Sequence, residues 1–412
     1  MVGKLREWKF DVANTAHHVF YLPGLNPVPF DSTAFVGSVQ KIVQQTINIF
    51  GKPAYDRYVF MFSDDAYGGL EHPNSVTLGG PSKELAENPH SHAREIGHEF
   101  FHTWNLMRFK PIEYRRLDYR VQPPVSGLWF SEGLSIFYSD LMMRRAGFIM
   151  REPTRIAHLE GILASYANNP GHDRFSAEQA SRTAYNSEPG ALGNYSLSSH
   201  QMGEVIGAML DFIVRDATDG ARNMDDVMRL MDERHATRGF TGTDIERVVN
   251  DVCKCSVKNF FDQHVRGGSR IDPNRYLQAF GLRAVTTHAQ VKQPNGEVER
   301  DWRIRAFQPS AQDTLRLLLF NPESIWARAG LNTNDRVLSV NGVAVKTWPE
   351  FRTQIAAVPL GGVARIEVVR ASGRSIVDVM VTGYERSTVR IEEVPGATAR
   401  QLRLREQWVE GR

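Results

Sequence analysis

Two histidines four residues apart, His98 and His102, with Glu99 directly after the first, constrain this chain more than any other stretch. On a helix, residues four apart share one face, one turn apart. Both imidazoles then reach a single ion at about 2.0–2.1 Å, the usual zinc–nitrogen distance. Glu99 points to the side of that ion, where it can take a proton from water. The surroundings read as helix. Ser91 is a suitable N-cap, Ile96, Phe100, Phe101 and Trp104 recur at helical spacing, and Lys110-Pro111 is expected to stop the helix near Phe109. Gly97 costs helix propensity, which predicts a close neighbour there. The bland alternative is a core helix with two hydrogen-bonded histidines. It loses ground because the rest of a metal-site constellation follows.

A chain of 412 residues is long enough for two or three domains. Hydrophobic residues at 42% and charged residues at 23% are those of an ordinary globular protein. The net charge of +2 calls for neither nucleic acid nor a membrane surface. No apolar run approaches a membrane span, and no signal-peptide pattern opens the chain. The only cysteines, Cys253 and Cys255, sit too close for a good zinc clip or an unstrained disulfide. They read as two reduced thiols, which fits a reducing compartment; a cytoplasmic setting is favoured, with a periplasmic or secreted one the alternative if an N-terminal segment is missing.

Before the His98 helix, Val19 to Leu22 and Arg57 to Phe62 read as strands, and Phe35 to Phe50 as a helix ending at Gly51. Gly68-Gly69-Leu70-Glu71 follows, with Val76 to Leu78 extended after it. Paired glycines let backbone approach a ligand, and a carboxylate there can hold a free amino group. A glycine-rich turn explains the same residues without a ligand. A second helix is expected from Leu128 to Ala146, stopped by Gly147.

A catalytic zinc has three protein ligands and one open position. The acids downstream are Glu113, Asp118, Glu132 and Asp140. Glu132 is favoured, because it stands near the start of the second helix among large apolar residues that would fix its orientation. Residues 150–280 read as largely helical, with breaks at Pro170 to His172 and Tyr185 to Gly193. Tyr195 and His200 are candidates to steady an oxyanion. After Gly281 the pattern turns β-like. Ala284 to Val291 and Val298 to Phe307 read as a hairpin around Pro294-Asn295-Gly296. From about Pro309 a small separate domain follows, with strands at Leu315–Phe320, Arg336–Val340, Ala364–Arg370 and Ser375–Thr382 and a helix at Pro349–Ala357.

His98-Glu99-Phe100-Phe101-His102-Thr103-Trp104-Asn105, Leu128-Trp129-Phe130-Ser131-Glu132-Gly133 and Gly68-Gly69-Leu70-Glu71-His72 with Asn74-Ser75 resemble the glycyl aminopeptidase family of zinc peptidases. Ala329-Gly330-Leu331 and Asp335 to Gly342 resemble a PDZ domain, which members of that family carry after the catalytic region. The resemblance implies one zinc ion on His98, His102 and Glu132, Glu99 as the base, and Gly68, Gly69 and Glu71 around the substrate's amino terminus. The family's Tyr-x-Lys-Gly stretch falls on His200-Gln201-Met202-Gly203, so His200 takes the place of the oxyanion-stabilising tyrosine. The family also begins with a long β-rich domain, of which only a fragment fits before residue 33.

The implied fold is α+β. It comprises a remnant of the β-rich region (1–33), a thermolysin-like catalytic domain (34–148), a helical domain completing the cleft (149–281), a connecting hairpin (282–308), a PDZ domain (309–385) and an extension (386–412). The implied activity is an aminopeptidase preferring small N-terminal residues on peptide substrates. Two alternatives use the same residues: an endopeptidase, and a silent peptidase whose PDZ groove, between Leu315–Phe320 and the 349–357 helix, binds a peptide or protein partner.

Overall fold

The computed structural model describes residues 3–116, 118, 120, 121, 123–184, 189–310 and 312–412. Strands β1 (Arg6–Val12) and β2 (Thr15–Leu22) form an antiparallel pair. Helix α1 (Ser32–Phe50) starts on the Asp31 side chain, which accepts from Ala34 N–H, and ends at left-handed Gly51. Its buried stripe of Phe35, Val39, Ile42, Val43 and Ile47 packs into the main core. Strands β3 (Arg57–Ser63), β4 (Gly69–His72) and β5 (Ser75–Gly79) complete a five-stranded sheet of order β1-β2-β3-β5-β4. β2 pairs with β3 in parallel from Ala16 to Leu22. The segment before residue 33 is therefore part of this sheet, not a separate layer. β4 is the outer strand, antiparallel to β5.

Helices α2 (Ser82–Glu87), α3 (Ala93–Phe101) and α4 (Leu128–Arg145) follow. α3 is shorter than its periodicity predicts. His92, not Ser91, stands at the cap position, and the helix ends at Phe101. Tertiary hydrogen bonds take over there. The Thr103 hydroxyl donates to Tyr58, and the Asn105 side chain donates to the carbonyls of Phe130 and Ser131. Phe109 remains fully buried, but in an isolated bridge to Asn105 rather than on a helix.

A helical layer then runs through α5 (Arg155–Ala167), α6 (Ala177–Arg182), α7 (Ser199–Ala217), α8 (Met224–His235), α9 (Gly242–Cys253), α10 (Lys258–Phe260) and α11 (Asn274–Leu277). Tyr185 to Glu188, part of a break expected from the sequence, lie outside the described residues. Cys253 and Cys255 are not free thiols: a disulfide joins them across left-handed Lys254 at the end of α9. The argument from reduced cysteines to a reducing setting therefore has no support. Among the described residues no helix is long and apolar enough to cross a membrane.

The connection to the last domain also differs from expectation. β6 (Leu282–Gln290) does not form a hairpin with the segment after it. It pairs along its whole length with β13 (Glu385–Glu393), antiparallel. Between these two strands lies a β-rich domain with its own core around Trp326, Phe351 and Ile366. It holds β7 (Ile304–Phe307), β8 (Arg316–Leu319), α12 (Ile325–Arg328), β9 (Arg336–Val340), β10 (Val343–Ala344), α13 (Trp348–Ala356), β11 (Val363–Arg370) and β12 (Gly373–Met380). Its sheet runs β12-β11-β9-β8-β7, with β10 on β9. The outer strands are β12 and β7, and α13 packs against β7 and β9, so β8, expected beside the groove, is an inner strand away from α13.

After β13 the chain returns to the body as α14 (Ala399–Val409). Leu404 and Trp408 are buried there. The indole of Trp408 packs on Phe212 at 4.9 Å between ring centres and beneath the guanidinium of Arg155 at 4.5 Å.

Candidate metal centre

His98 and His102 lie at the end of α3, one turn apart, and Glu132 comes from the second turn of α4. His102 is the residue after the helix, yet keeps helical angles (φ −60, ψ −18), so the four-residue spacing survives the early stop. The Nε2 atoms of the two histidines are 3.0 Å apart. Glu132 Oε2 is 3.4 Å from the first and 3.3 Å from the second. Bonds of 2.0–2.1 Å at a tetrahedral angle put neighbouring ligand atoms about 3.3 Å apart. The three atoms therefore have the spacing of one face of a tetrahedral zinc site. Among the described residues they form the one group of three or more such side chains close enough to hold an ion.

The hydrogen bonds behind the ligands agree. His102 Nδ1 is 3.0 Å from the Asn105 carbonyl oxygen, which only accepts, so that nitrogen carries the proton. Its Nε2 then turns a lone pair toward His98. Two imidazole nitrogens at 3.0 Å need a proton or a cation between them. Burial draws His102 down, but the Glu132 carboxylate outweighs it and lifts the group to about 9. Burial likewise draws His98 down.

Glu99 is buried at 9% exposure. Burial raises its carboxyl to about 7, His102 opposes the rise, and the charges of Glu71 and Glu132 add to it. A divalent cation on the neighbouring ligands would draw that value down. Room for Glu99 comes from Gly69. A Cβ on Gly69 would stand 2.4 Å from Glu99 Cγ. Glu71 follows on the same edge strand, half-buried, and its charge reaches both Glu99 and His102. Gly68 takes the positive φ (77°) that lets its carbonyl accept from Gly79 N–H as β4 begins.

His200, in the first turn of α7, also reaches this group. Its Nε2 is 3.1 Å from Glu132 Oε2, and its ring lies 6.1 Å from that of His98. Tyr195 lies elsewhere, against Phe175 and the guanidinium of Arg174. The other acids considered as ligands are engaged away from the histidines. Asp140 binds Arg94 and Arg144, Glu113 accepts from Ser126, and Asp118 pairs with Arg120.

Several positioning residues have roles that the sequence does not announce. The backbones of α4 and α7 touch. A Cβ on Gly203 would lie 1.8 Å from the Trp129 carbonyl oxygen, and one on Gly133 2.3 Å from Gly203. These glycines flank Glu132 and follow His200, and only their presence as a pair in two helices hints at a crossing. Gly97, expected to meet a close neighbour, has ordinary contacts instead, the nearest at 3.4 Å from flexible Met143. Asn105 ties the exit of α3 to the start of α4 through Phe130 and Ser131. Ser135 Oγ, 3.2 Å from His102 Nδ1, backs the ligand from α4. Tyr114 is raised to about 12 by burial and then by the charges of Glu132 and Glu71, which sets it beside the same group.

The M61 glycyl aminopeptidase family model matches residues 92–206. That span runs from the cap of α3 to the middle of α7 and contains His98, Glu99, His102, Glu132 and His200. No curated protein matches the chain in sequence. Among solved structures, the chain is similar to an aminopeptidase N family protein from Idiomarina loihiensis. The identity is 18% and the TM-score 0.74, over 99% of this chain and 71% of that one. At that identity the likeness is one of fold. A weaker likeness, at 13% identity and TM-score 0.44, links 66% of this chain to 53% of an M1 zinc metallopeptidase variant from Deinococcus radiodurans bound to a Tyr-Ser-Ala substrate. The family match and the His-His-Glu group together support a metallopeptidase.

Proposed function

We propose that the protein is a zinc-dependent aminopeptidase that removes small residues, Gly or Ala, from the amino terminus of peptides. The observation that carries this reading is the spacing of the three ligand atoms, 3.0, 3.3 and 3.4 Å, which suits one tetrahedral ion. His98, His102 and Glu132 would hold the zinc. Zinc supplies Lewis-acid polarisation of a carbonyl and makes water acidic near neutral pH. Glu99 takes a proton from water on its carboxylate and returns it to the leaving amine. His200, on the open rim, turns its Nε2 from Glu132 Oε2 to donate toward the developing oxyanion. Glu71 pairs with the substrate's ammonium group, and the free edge of β4 lies beside Glu99, where an extended substrate backbone can add as a strand. The match to the M61 glycyl aminopeptidase model supports the choice of substrate end. In the last domain, the α12–β9 segment that resembles a PDZ domain supports a peptide groove between β7 and α13.

The test is zinc per chain on the purified protein, beside hydrolysis of free-amine Gly- and Ala-anilides. We expect about one zinc per chain with turnover, and loss of both in His98→Ala. Glu99→Gln should keep the zinc and lower kcat by about 10²–10⁴. No zinc in the wild type would end the metal-site reading. Equal cleavage of amino-blocked peptides would convert the aminopeptidase to an endopeptidase and leave Glu71 without its role.

A further inference from the structure

A cavity of about 970 Å³ lies between the body and the inserted β-rich domain. Ser165 of α5 and Gln201 of α7 line one side. Trp302, Arg305, Arg352 and Arg386 line the other. Four arginines face it, with Arg303 as the fourth, against one carboxylate, Glu299. Asp301 holds Arg303 at 2.6 Å. Arg305, Arg352 and Arg386 are exposed, and none has an ion-pair partner among the described residues. Arg352 lies over the Trp302 ring at 5.0 Å, which fixes its guanidinium at the cavity wall.

The cavity adjoins the pocket on the metal side. That pocket, about 700 Å³, is lined by His98 and His200. Gly161 lines both spaces, and the consecutive residues His200 and Gln201 each face one of them. A Cβ on Gly161 would meet no heavy atom within 4 Å, so this face of α5 is open where the two spaces meet.

We propose that this cavity receives the part of a peptide substrate downstream of the cleaved bond and selects for acidic groups there. The proposal rests on the peptidase reading. An extended peptide leaving the histidines past Gly161 enters a space with three uncompensated guanidiniums. Guanidinium groups match carboxylates in shape and charge. The same charges repel a basic tail, so the site discriminates by repulsion as well as attraction. The carboxylates are aspartate or glutamate side chains, or the peptide's own C-terminus, and these share one chemistry.

The test uses the full-length, zinc-loaded protein and three hexapeptides: Gly-Ala-Ser-Ser followed by Asp-Asp, Asn-Asn or Lys-Lys, each as free acid and as C-terminal amide. Solvent-exposed ion pairs contribute ~0.2–1 kcal/mol each. Several together give an expected preference of about tenfold in kcat/KM for Asp-Asp over Lys-Lys at low salt, narrowing as salt screens the charges. A drop in kcat/KM on amidation of the Asn-Asn peptide would assign the site to the C-terminus, and an Asp-Asp preference kept among the three amides would assign it to side chains. Arg305→Glu, Arg352→Glu and Arg386→Glu combined should reverse the order with zinc content unchanged. Anisotropy of a dye-labelled Asp-Asp peptide bound to Glu99→Gln reads the same preference without turnover. Equal cleavage of all three peptides, unmoved by the triple reversal, would overturn the proposal and leave the peptidase standing. Acid-selective binding, lost in the triple reversal, with no peptide cleaved would uphold the anion-binding site and remove the peptidase reading. Neither cleavage nor selective binding would overturn both.

Discussion

At the scale of single residues, the space left by a missing side chain is as informative as the charged groups. Gly69 gives Glu99 its position, since any Cβ there enters the volume of the carboxylate at 2.4–2.6 Å. Gly69→Ala should lower kcat by at least tenfold while zinc per chain stays near one, because the ligands lie on other residues. Unchanged kcat would remove Glu99 from the chemistry or show β4 free to retreat. Two other residues bear on pH. His17, stacked on Phe10, and His172, stacked on Tyr166, are both buried, and burial depresses each to about 4. An unfolded histidine takes its proton near 6.5. Above that pH the neutral ring is the form in both states, and the fold loses nothing. Between pH 6.5 and 4 the unfolded chain binds the proton and the folded chain does not, so stability falls with pH, by on the order of 3 kcal/mol per group at most. Urea unfolding at pH 7 and pH 5 should show that loss, and His17→Phe or His172→Phe should flatten it.

At the scale of elements, the α4–α7 crossing decides whether Glu132 and His200 meet the histidines of α3. Gly203→Ala forces the two helices apart at the Trp129 carbonyl. It should cost about 1–3 kcal/mol or more of stability, and weaken zinc binding in the folded fraction. A folded Gly203→Ala protein with native zinc affinity would show that the crossing is dispensable. The comparison of sequence with structure is clearest at this scale. α1 was legible through its apolar stripe and α4 through its apolar run, buried on every face, each followed by a glycine stop. The meeting of His98 and His102 was legible because helical spacing alone brings the two imidazoles together. The length of α3 was not, because its end is set by bonds from Thr103 and Asn105 to Tyr58, Phe130 and Ser131, all distant in sequence. The partner of β6 was hidden for the same reason. A strand's hydrophobic pattern does not name a partner about a hundred residues away, and the nearby Asn295-Gly296 turn offered a local answer that explains only the bridge from Lys292 to Val298.

At the scale of the whole molecule, the β-rich domain is an insertion and α14 belongs to the body. Arg155 donates to the Trp408 carbonyl at 2.6 Å, Arg145 to that of Gly411 at 2.8 Å, and Trp408 covers Phe212. Removing residues 399–412 should therefore destabilise the helical layer by about 3–5 kcal/mol, the range for losing a buried tryptophan, and lower the zinc-retaining fraction. A truncated chain with wild-type thermal stability would refute that role for α14. The return of the chain to the body also sets an order in time. Synthesis runs from the amino terminus, so His98, Glu99, His102 and Glu132 leave the ribosome long before Trp408. The helices that carry Glu132 and His200 wait, partly uncovered, while the whole insert is made and threaded onto its two-stranded stem. A nascent chain of this protein holds His98, Glu99, His102, Glu132 and His200 early, and covers Phe212 only when Trp408 arrives.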